Sequence, residues 1–215
     1  MDTRRDYLSL QDLYLPIAIA VWVLFTAVVV VAIVRRRRRD DEQSETASPD
    51  ARRSAPKLEA AYVVGLTAVA VFLVATTFGV MDRVDRVSAS PGIQVHAISS
   101  RWQWRFEYPG LGVVSASTGD RPTRLVVPQD TTIHFTGTAR DVIHAFWVPE
   151  RRFKRDLFPG GDSRWNLRWP RAGLFGGECG EFCGLNHGSM HFDVEVLDPA
   201  AFREWVAERR RAGAT

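Results

Sequence analysis

The sequence predicts two membrane-spanning helices followed by an all-β sandwich and a short C-terminal helix. Three observations carry this reading. Two long charge-free apolar runs lie near the N-terminus, a train of short alternating segments follows them, and the chain closes on a capped amphipathic stretch.

Tyr14 to Val34 is an apolar run of 21 residues without a charge, and Ala60 to Met81 is a second, of 22. A helix rises about 1.5 Å per residue, so each run reaches across a hydrocarbon core of ~30 Å. Soluble helices are rarely apolar on every face over such a length. The first run is too long for the apolar part of a signal peptide, and no small-residue cleavage site follows it. Arg35, Arg36, Arg37, Arg38 and Arg39 follow instead, which reads as a retained anchor.

Basic residues set the orientation. The connection between the runs holds those five arginines with Arg52, Arg53 and Lys57, against Arg4 and Arg5 before the first run and Arg83 and Arg86 after the second. The positive-inside rule puts the connection in the cytoplasm and both termini outside it. The chain thus divides into an outer tail and first helix (1–34), a cytoplasmic loop (35–59), a second helix (60–81), an outer domain (82–198), and a C-terminal helix and tail (199–215). The polar stretch "DDEQSETASPDARRSAPK" reads as a disordered hairpin connection.

The net charge of +3 carries no nucleic-acid signal, because the densest arginine run is accounted for by topology. From Asp82 onward the chain has 18 basic and 16 acidic residues, a nearly balanced domain with no basic surface interleaved with aromatics.

In that outer domain "GIQVHAI", "RWQWRFEY", "TRLVVP", "TTIHFTG", "VIHAFWV", "SRWNLRW", "AGLFGGE" and "MHFDVEVL" all suit strands, cut by turn signals such as Pro109-Gly110 and Pro159-Gly160-Gly161. Many short strands at this spacing favour an antiparallel sandwich or barrel over a parallel α/β sheet. The segment "DPAAFREWVAERRRAG" predicts a helix, with Asp198 as cap, Pro199 at the first position and Phe202, Trp205 and Val206 as an apolar stripe.

The chemistry concentrates in "ECGEFCGLNHGSM", which holds the chain's two cysteines, Cys179 and Cys183, with His187 and Met190. Four readings compete. A disulfide would enclose three residues, constrain the unfolded chain little, and leave His187 and Met190 without a role. Zinc could take two thiolates and two imidazoles but rarely recruits a thioether. A dithiol copper chaperone on a thioredoxin-like fold needs alternating strands and helices. A copper electron-transfer site on a β-sandwich uses thiolate, imidazole and a weak thioether together. Two thiolates at this spacing could bridge two copper ions, each capped by an imidazole. His144, with 34 residues between it and Cys179, is then the best candidate for the second imidazole.

The stretch resembles the binuclear copper A domain of cytochrome c oxidase subunit II, whose pattern is a histidine, a gap of a little over thirty residues, and then C-x-x-x-C-x-x-x-H-x-x-M. The resemblance runs through nearly the whole chain. "RWQWRFEYPG" is similar to the family's aromatic segment, "DVIHAFWVP" to its first-ligand strand, "KRDLFPG" to the turn after it, and two helices precede the domain. The chain departs from the pattern at Ser100, where many members have histidine, at Arg101 (glutamine), at Gln103 (an aromatic), at Gly161 (arginine) and at Gly180 (serine).

The resemblance implies a cupredoxin-like sandwich that receives electrons from cytochrome c and hands them to haem in subunit I, where oxygen is reduced and protons are translocated. It implies that Cys179 and Cys183 bridge two coppers, that His144 and His187 cap one each, and that Met190 and the backbone carbonyl of Glu181 are weak ligands. The Glu181 side chain resembles a carboxylate at a magnesium site shared with subunit I. Trp102 matches the exposed tryptophan where the electron enters. The partners implied are subunit I, other oxidase subunits, cytochrome c and the lipid bilayer of a bacterial cell membrane; no nucleic acid is expected. The alternatives are a membrane-anchored copper chaperone or assembly factor, and a quinol oxidase subunit II.

Asp141, Glu107 and Asp120 are candidate acids of a docking patch for a basic cytochrome c. The remaining histidines, His96, His134 and His191, read as structural or surface groups, and Trp147, Trp165 and Trp169 as core.

Overall fold

The computed structural model describes residues 3–42, 56–85, 92–117 and 121–213. It forms two units: one is Leu8–Gly79, and the other joins Met1–Tyr7 to Val80–Thr215.

The first unit carries the two long helices. Helix α1 spans Thr3–Glu42 and α2 spans Pro56–Asp85. Both contain stretches long and apolar enough to cross a membrane, Thr3–Arg35 and Glu59–Asp85. A hydroxyl in lipid needs a partner; that of Tyr14 donates to the Leu73 carbonyl of α2 at 2.6 Å. The helical backbone of α1 runs on through the arginine cluster, which the sequence reading had assigned to a loop. Most of the polar connection expected to be a disordered hairpin, 43–55, lies outside the described residues.

The second unit is a sandwich of two five-stranded sheets. Its strands are β1 (Ile93–Ser100), β2 (Gln103–Tyr108), β3 (Val113–Ala116), β4 (Thr123–Pro128) and β5 (Thr132–Ala139). Then come β6 (His144–Val148), β7 (Phe153–Leu157), β8 (Ser163–Arg168), β9 (Gly173–Cys179) and β10 (His191–Leu197). One sheet has the order β3-β2-β1-β5-β8 and the other β4-β10-β9-β6-β7. All eight segments read as strands form strands. Two more, β3 and β7, appear where the sequence showed only turns.

The pairing is not purely antiparallel, as the strand spacing had suggested. β1 lies parallel to β5, and β4 parallel to β10. Each of these partners is distant in sequence, because the intervening chain crosses to the other sheet before it returns.

Alternation along the strands sends Val95, Ala97, Trp104, Phe106, Phe135, Phe146, Trp165, Phe192 and Val194 into one core between the sheets. Trp104 packs edge-on against Phe146 and Phe192, with centroids 6.1 and 5.0 Å away. Trp165 and Trp169 are fully buried, as expected of core residues. Trp147 is not: Phe146 takes the inward position, so its neighbour faces out and is partly exposed. Gly177 is required by this packing, since a Cβ there would stand 2.2 Å from the Phe192 ring.

The C-terminal helix α3 (Pro199–Gly213) forms as predicted. Asp198 Oδ1 accepts the Ala200 and Ala201 N–H groups at 2.8 and 3.0 Å, which caps the helix. These two bonds hold the Asp198 carboxyl below its ordinary value. Phe202 and Val206 are buried, and Trp205 meets the Tyr108 ring edge-on at 5.4 Å.

Candidate metal centre

One end of the second sheet gathers the sulfur and imidazole groups. β9 ends at Cys179 between β6 and β10. Phe146 is opposite Cys179 in the β6–β9 ladder, so His144, two residues away, shares its inward face. On the other edge the Cys179 N–H donates to the Met190 carbonyl at 3.0 Å. The chain between them, 180–189, folds back as a loop, and a 3-10 turn at His187–Ser189 sets His187 and Met190 against Cys183.

The distances define the cluster. The two Sγ atoms are 3.8 Å apart. His144 Nδ1 lies 3.7 Å from Cys179 Sγ, and His187 Nδ1 lies 3.6 Å from Cys183 Sγ. Met190 Sδ is 3.8 Å from Cys183 Sγ, and the Glu181 carbonyl is 3.2 Å from Cys179 Sγ. His144, Cys179, Cys183 and Met190 are buried, and His187 is half-buried. Ligand atoms of His144, Cys179 and Cys183 all fall within 4.8 Å of one another. Each residue the sequence nominated as a copper ligand is therefore at one place.

The arrangement discriminates between the readings left open. Both thiols are free, and their separation is far beyond the ~2.05 Å of a disulfide. A single tetrahedral zinc takes four donors around one point. Here the donors divide, with one imidazole addressed to each sulfur and the thioether and the carbonyl at opposite ends. Soft thiolates with imidazoles and a thioether fit copper.

Electrostatics favours one thiolate over two. Burial opposes ionisation of Cys179, but the His144 ring and the backbone around Ala145 and Glu181 outweigh it and bring the thiol below its ordinary range. Cys183 moves the other way, raised by burial and by the Cys179 charge beside it. Releasing the second proton calls for a cation at the site.

Groups the sequence reading did not single out for this purpose hold the cluster in place. Asp141 Oδ1 stands 2.9 Å from His144 Nε2, on the edge of the ring remote from Cys179. Burial alone would raise the Asp141 carboxyl, but the Arg101 N–H, the His144 ring and the Val142 N–H together hold it at about 2. No spacing rule marks this pair; an acid three residues before a ligand histidine is the only trace it leaves. Trp104 Nε1 donates to the Met190 carbonyl at 3.4 Å. Lys154 of β7 forms an ion pair with the Glu181 carboxylate and stands 3.5 Å from Asp156. That ammonium stands against the carboxylate which the sequence reading gave to a magnesium shared with subunit I.

Trp102 is half-buried beside the loop, and its indole N–H donates to the Cys183 carbonyl at 3.2 Å. Gly184, at φ +115°, lets the loop pass the indole: a Cβ there would lie 3.3 Å from the ring. Met190 and His191 point to opposite sides, the first buried and the second exposed, so His191 stays outside the cluster. His96 and His134 lie half-buried on β1 and β5, in the other sheet. Asp141 belongs to the cluster as much as to the surface, Glu107 lies on β2, and Asp120 falls outside the described residues.

Known proteins share this sandwich. Residues 114–197 match the family model described as cytochrome c oxidase subunit II, periplasmic domain. The chain is 28% identical over 159 residues to the probable cytochrome c oxidase subunit 2 of Rickettsia bellii, covering 67% of this chain and 59% of that one. It is 34% identical over 140 residues to cytochrome c oxidase subunit 2 of Kluyveromyces lactis, covering 56% and 57%. The chain thus spans less than two thirds of the length of these relatives. The crystal structure of the periplasmic domain of subunit II from Bradyrhizobium japonicum superposes with a TM-score of 0.54 at 27% identity, over 59% of this chain and 99% of that domain. Two apolar helices, a sandwich that matches this periplasmic domain and a short C-terminal helix complete the pattern: the chain belongs to the cytochrome c oxidase subunit II family.

Proposed function

We propose that the chain is the electron-accepting subunit of a cytochrome c oxidase, holding two copper ions between Cys179 and Cys183. The observation that carries this reading is the paired geometry of the cluster, in which each sulfur faces its own imidazole nitrogen across a 3.8 Å gap between the sulfurs. Such a centre would take one electron at a time and share it between two metals, so that little rearrangement accompanies reduction.

The chain's residues serve that purpose in distinct ways. Cys179 and Cys183 would hold the coppers through their thiolates, and His144 and His187 would each supply an imidazole. Met190 and the Glu181 carbonyl are placed to tune the two ends as weak donors. Asp141 fixes the ring angle and tautomer of His144, leaving Nδ1 free to face Cys179. The core formed by Trp104, Phe146 and Phe192 excludes water from the buried side. Trp102 links the outer surface to Cys183 through one hydrogen bond, which supports it as the point where an electron from cytochrome c enters.

From this cluster electrons would pass to haem in subunit I, where oxygen reduction and proton translocation take place. The basic connection between α1 and α2 supports a topology with the copper domain and both termini on the outer side of a bacterial cell membrane. A magnesium ion shared with subunit I would need oxygen ligands from that subunit and displacement of Lys154 from Glu181. A copper chaperone would be expected to release its metal, whereas His144, Cys179, Cys183 and Met190 are buried, with His144 on β6, Cys179 at the end of β9 and the others on the loop between β9 and β10. A quinol oxidase would not need the copper ligands.

The test is complementation of a bacterial oxidase that lacks its own subunit II. The full chain restores cytochrome c oxidation, and the Cys179→Ser/Cys183→Ser double variant assembles without restoring it. Full activity of the double variant would sink the proposal.

A further inference from the structure

The described acids nominated for docking are paired within the chain, both with arginines. Asp141 Oδ2 accepts the Arg101 N–H at 2.7 Å and lies 3.5 Å from Arg101 Nε. The other oxygen, Oδ1, faces the Val142 N–H and the His144 ring. Glu107 Oε1 lies 2.6 Å from Arg105 Nε. Arg140 is exposed next to Asp141, and its N–H donates to the Ser99 carbonyl, two residues before Arg101.

Among the described residues Arg101 and Arg140 therefore flank Asp141 near the turn that holds Trp102, while Arg105 and Glu107 pair with each other farther along β2. A carboxylate paired at such distances acts as a short dipole, and salt screens what remains over about 8–10 Å. An approaching protein there meets two exposed arginines, Arg101 and Arg140, beside a carboxylate that is already paired. Beside Trp102 the stretch Phe182–Leu185 of the ligand loop carries no charge: Leu185, 90% exposed, follows the Gly184 that packs on the indole, and Phe182, 80% exposed, lies on the other side of Cys183.

We propose that this chain accepts electrons from a cytochrome c whose exposed haem edge is ringed by apolar and acidic or uncharged side chains, and that Arg101 disfavours a lysine-rich donor. The inference rests on Trp102 as the point of electron arrival. Arg101 acts in two ways: its guanidinium stands 3.5 Å from the Asp141 carboxylate, and it opposes a lysine brought to the same place. Exposed Leu185 supplies apolar contact that needs no charge.

The experiment uses the complete oxidase and two donors, a lysine-rich cytochrome c and the same protein succinylated at its lysines. kcat/KM is measured against ionic strength for the wild type, Arg101→Gln and Trp102→Phe. In the wild type the lysine-rich donor gains or holds rate as salt rises, and the succinylated donor loses it. Arg101→Gln raises the low-salt rate of the lysine-rich donor by roughly threefold to tenfold, a part of the range that steering covers, and makes that rate fall with salt. Its copper spectrum is unchanged. A wild type that oxidises the lysine-rich donor fastest at low salt, with no effect of Arg101→Gln, overturns the charge preference. If Trp102→Phe slows both donors in that case, the arrival point stands and only the preference falls. If Trp102→Phe slows neither donor, the arrival point falls and the preference with it.

Discussion

Asp141 Oδ1 and His144 Nε2 lie 2.9 Å apart, while Nδ1 of the same ring looks at Cys179 Sγ from 3.7 Å. The carboxylate thus decides which nitrogen is free for a metal, and the Arg101 and Val142 N–H groups hold it in place. Outer partners of this kind are commonly worth about 10–100-fold in metal affinity. Asp141→Asn should weaken copper binding by about that factor in a competition titration with a chelator, with the fold intact by circular dichroism. Equal affinity in the two proteins would show that the ring is oriented by packing alone.

Trp102 is bonded to the carbonyl of Cys183, not to its sulfur, so its loss should leave the sulfur and imidazole donors untouched. Trp102→Phe is expected to keep the copper spectrum and to slow reduction by cytochrome c severely in stopped-flow traces. Unaltered reduction kinetics would remove the indole from the route.

Gly177 precedes Cys179 by two residues and has the Phe192 ring where a side chain would start. Gly177→Ala should destabilise the sandwich by about 1–3 kcal/mol, read from the urea midpoint, since the ring and β9 must move apart. A midpoint within error of the wild type would mean that the core has slack at this end.

The cap of α3 is the cleanest pH probe, because it lies at the opposite end of β10 from Met190 and the other sulfur ligands. Asp198 is held below its ordinary pKa by the Ala201 and Ala200 N–H groups, so its contribution is complete above the ordinary carboxylate range. It is lost as the pH falls through the lowered folded value. Hydrogen exchange in Phe202 to Val206 should therefore quicken below that range in the wild type. In Asp198→Asn, which keeps an acceptor but does not titrate, this part of the pH dependence should vanish. Matching profiles would deny the carboxylate a role in holding the helix.

Much of this was legible in the sequence because it is local. The apolar runs behind α1 and α2 need only counting, and Cys179, Cys183, His187 and Met190 come from one loop whose spacing survives folding. β3 and β7 were missed for local reasons too. In β7 only Phe153 and Leu157 face the core, and Lys154, Arg155 and Asp156 between them break the apolar alternation. The parallel pairings, and the pairs Asp141–His144 and Lys154–Glu181, depend on which strands become neighbours. Sequence spacing carries no record of that. Trp147 was misassigned because one residue of register decides whether a strand tryptophan is core or surface.

The division of donors between two sulfurs is the central claim, and electron paramagnetic resonance of the copper-loaded full chain in detergent tests it most directly. The account predicts a purple protein binding two coppers, with one unpaired spin shared equally by both nuclei, and loss of that signal in Cys183→Ser. A colourless protein holding one zinc, a spectrum of isolated copper ions, or a shared-spin signal that survives Cys183→Ser would contradict it.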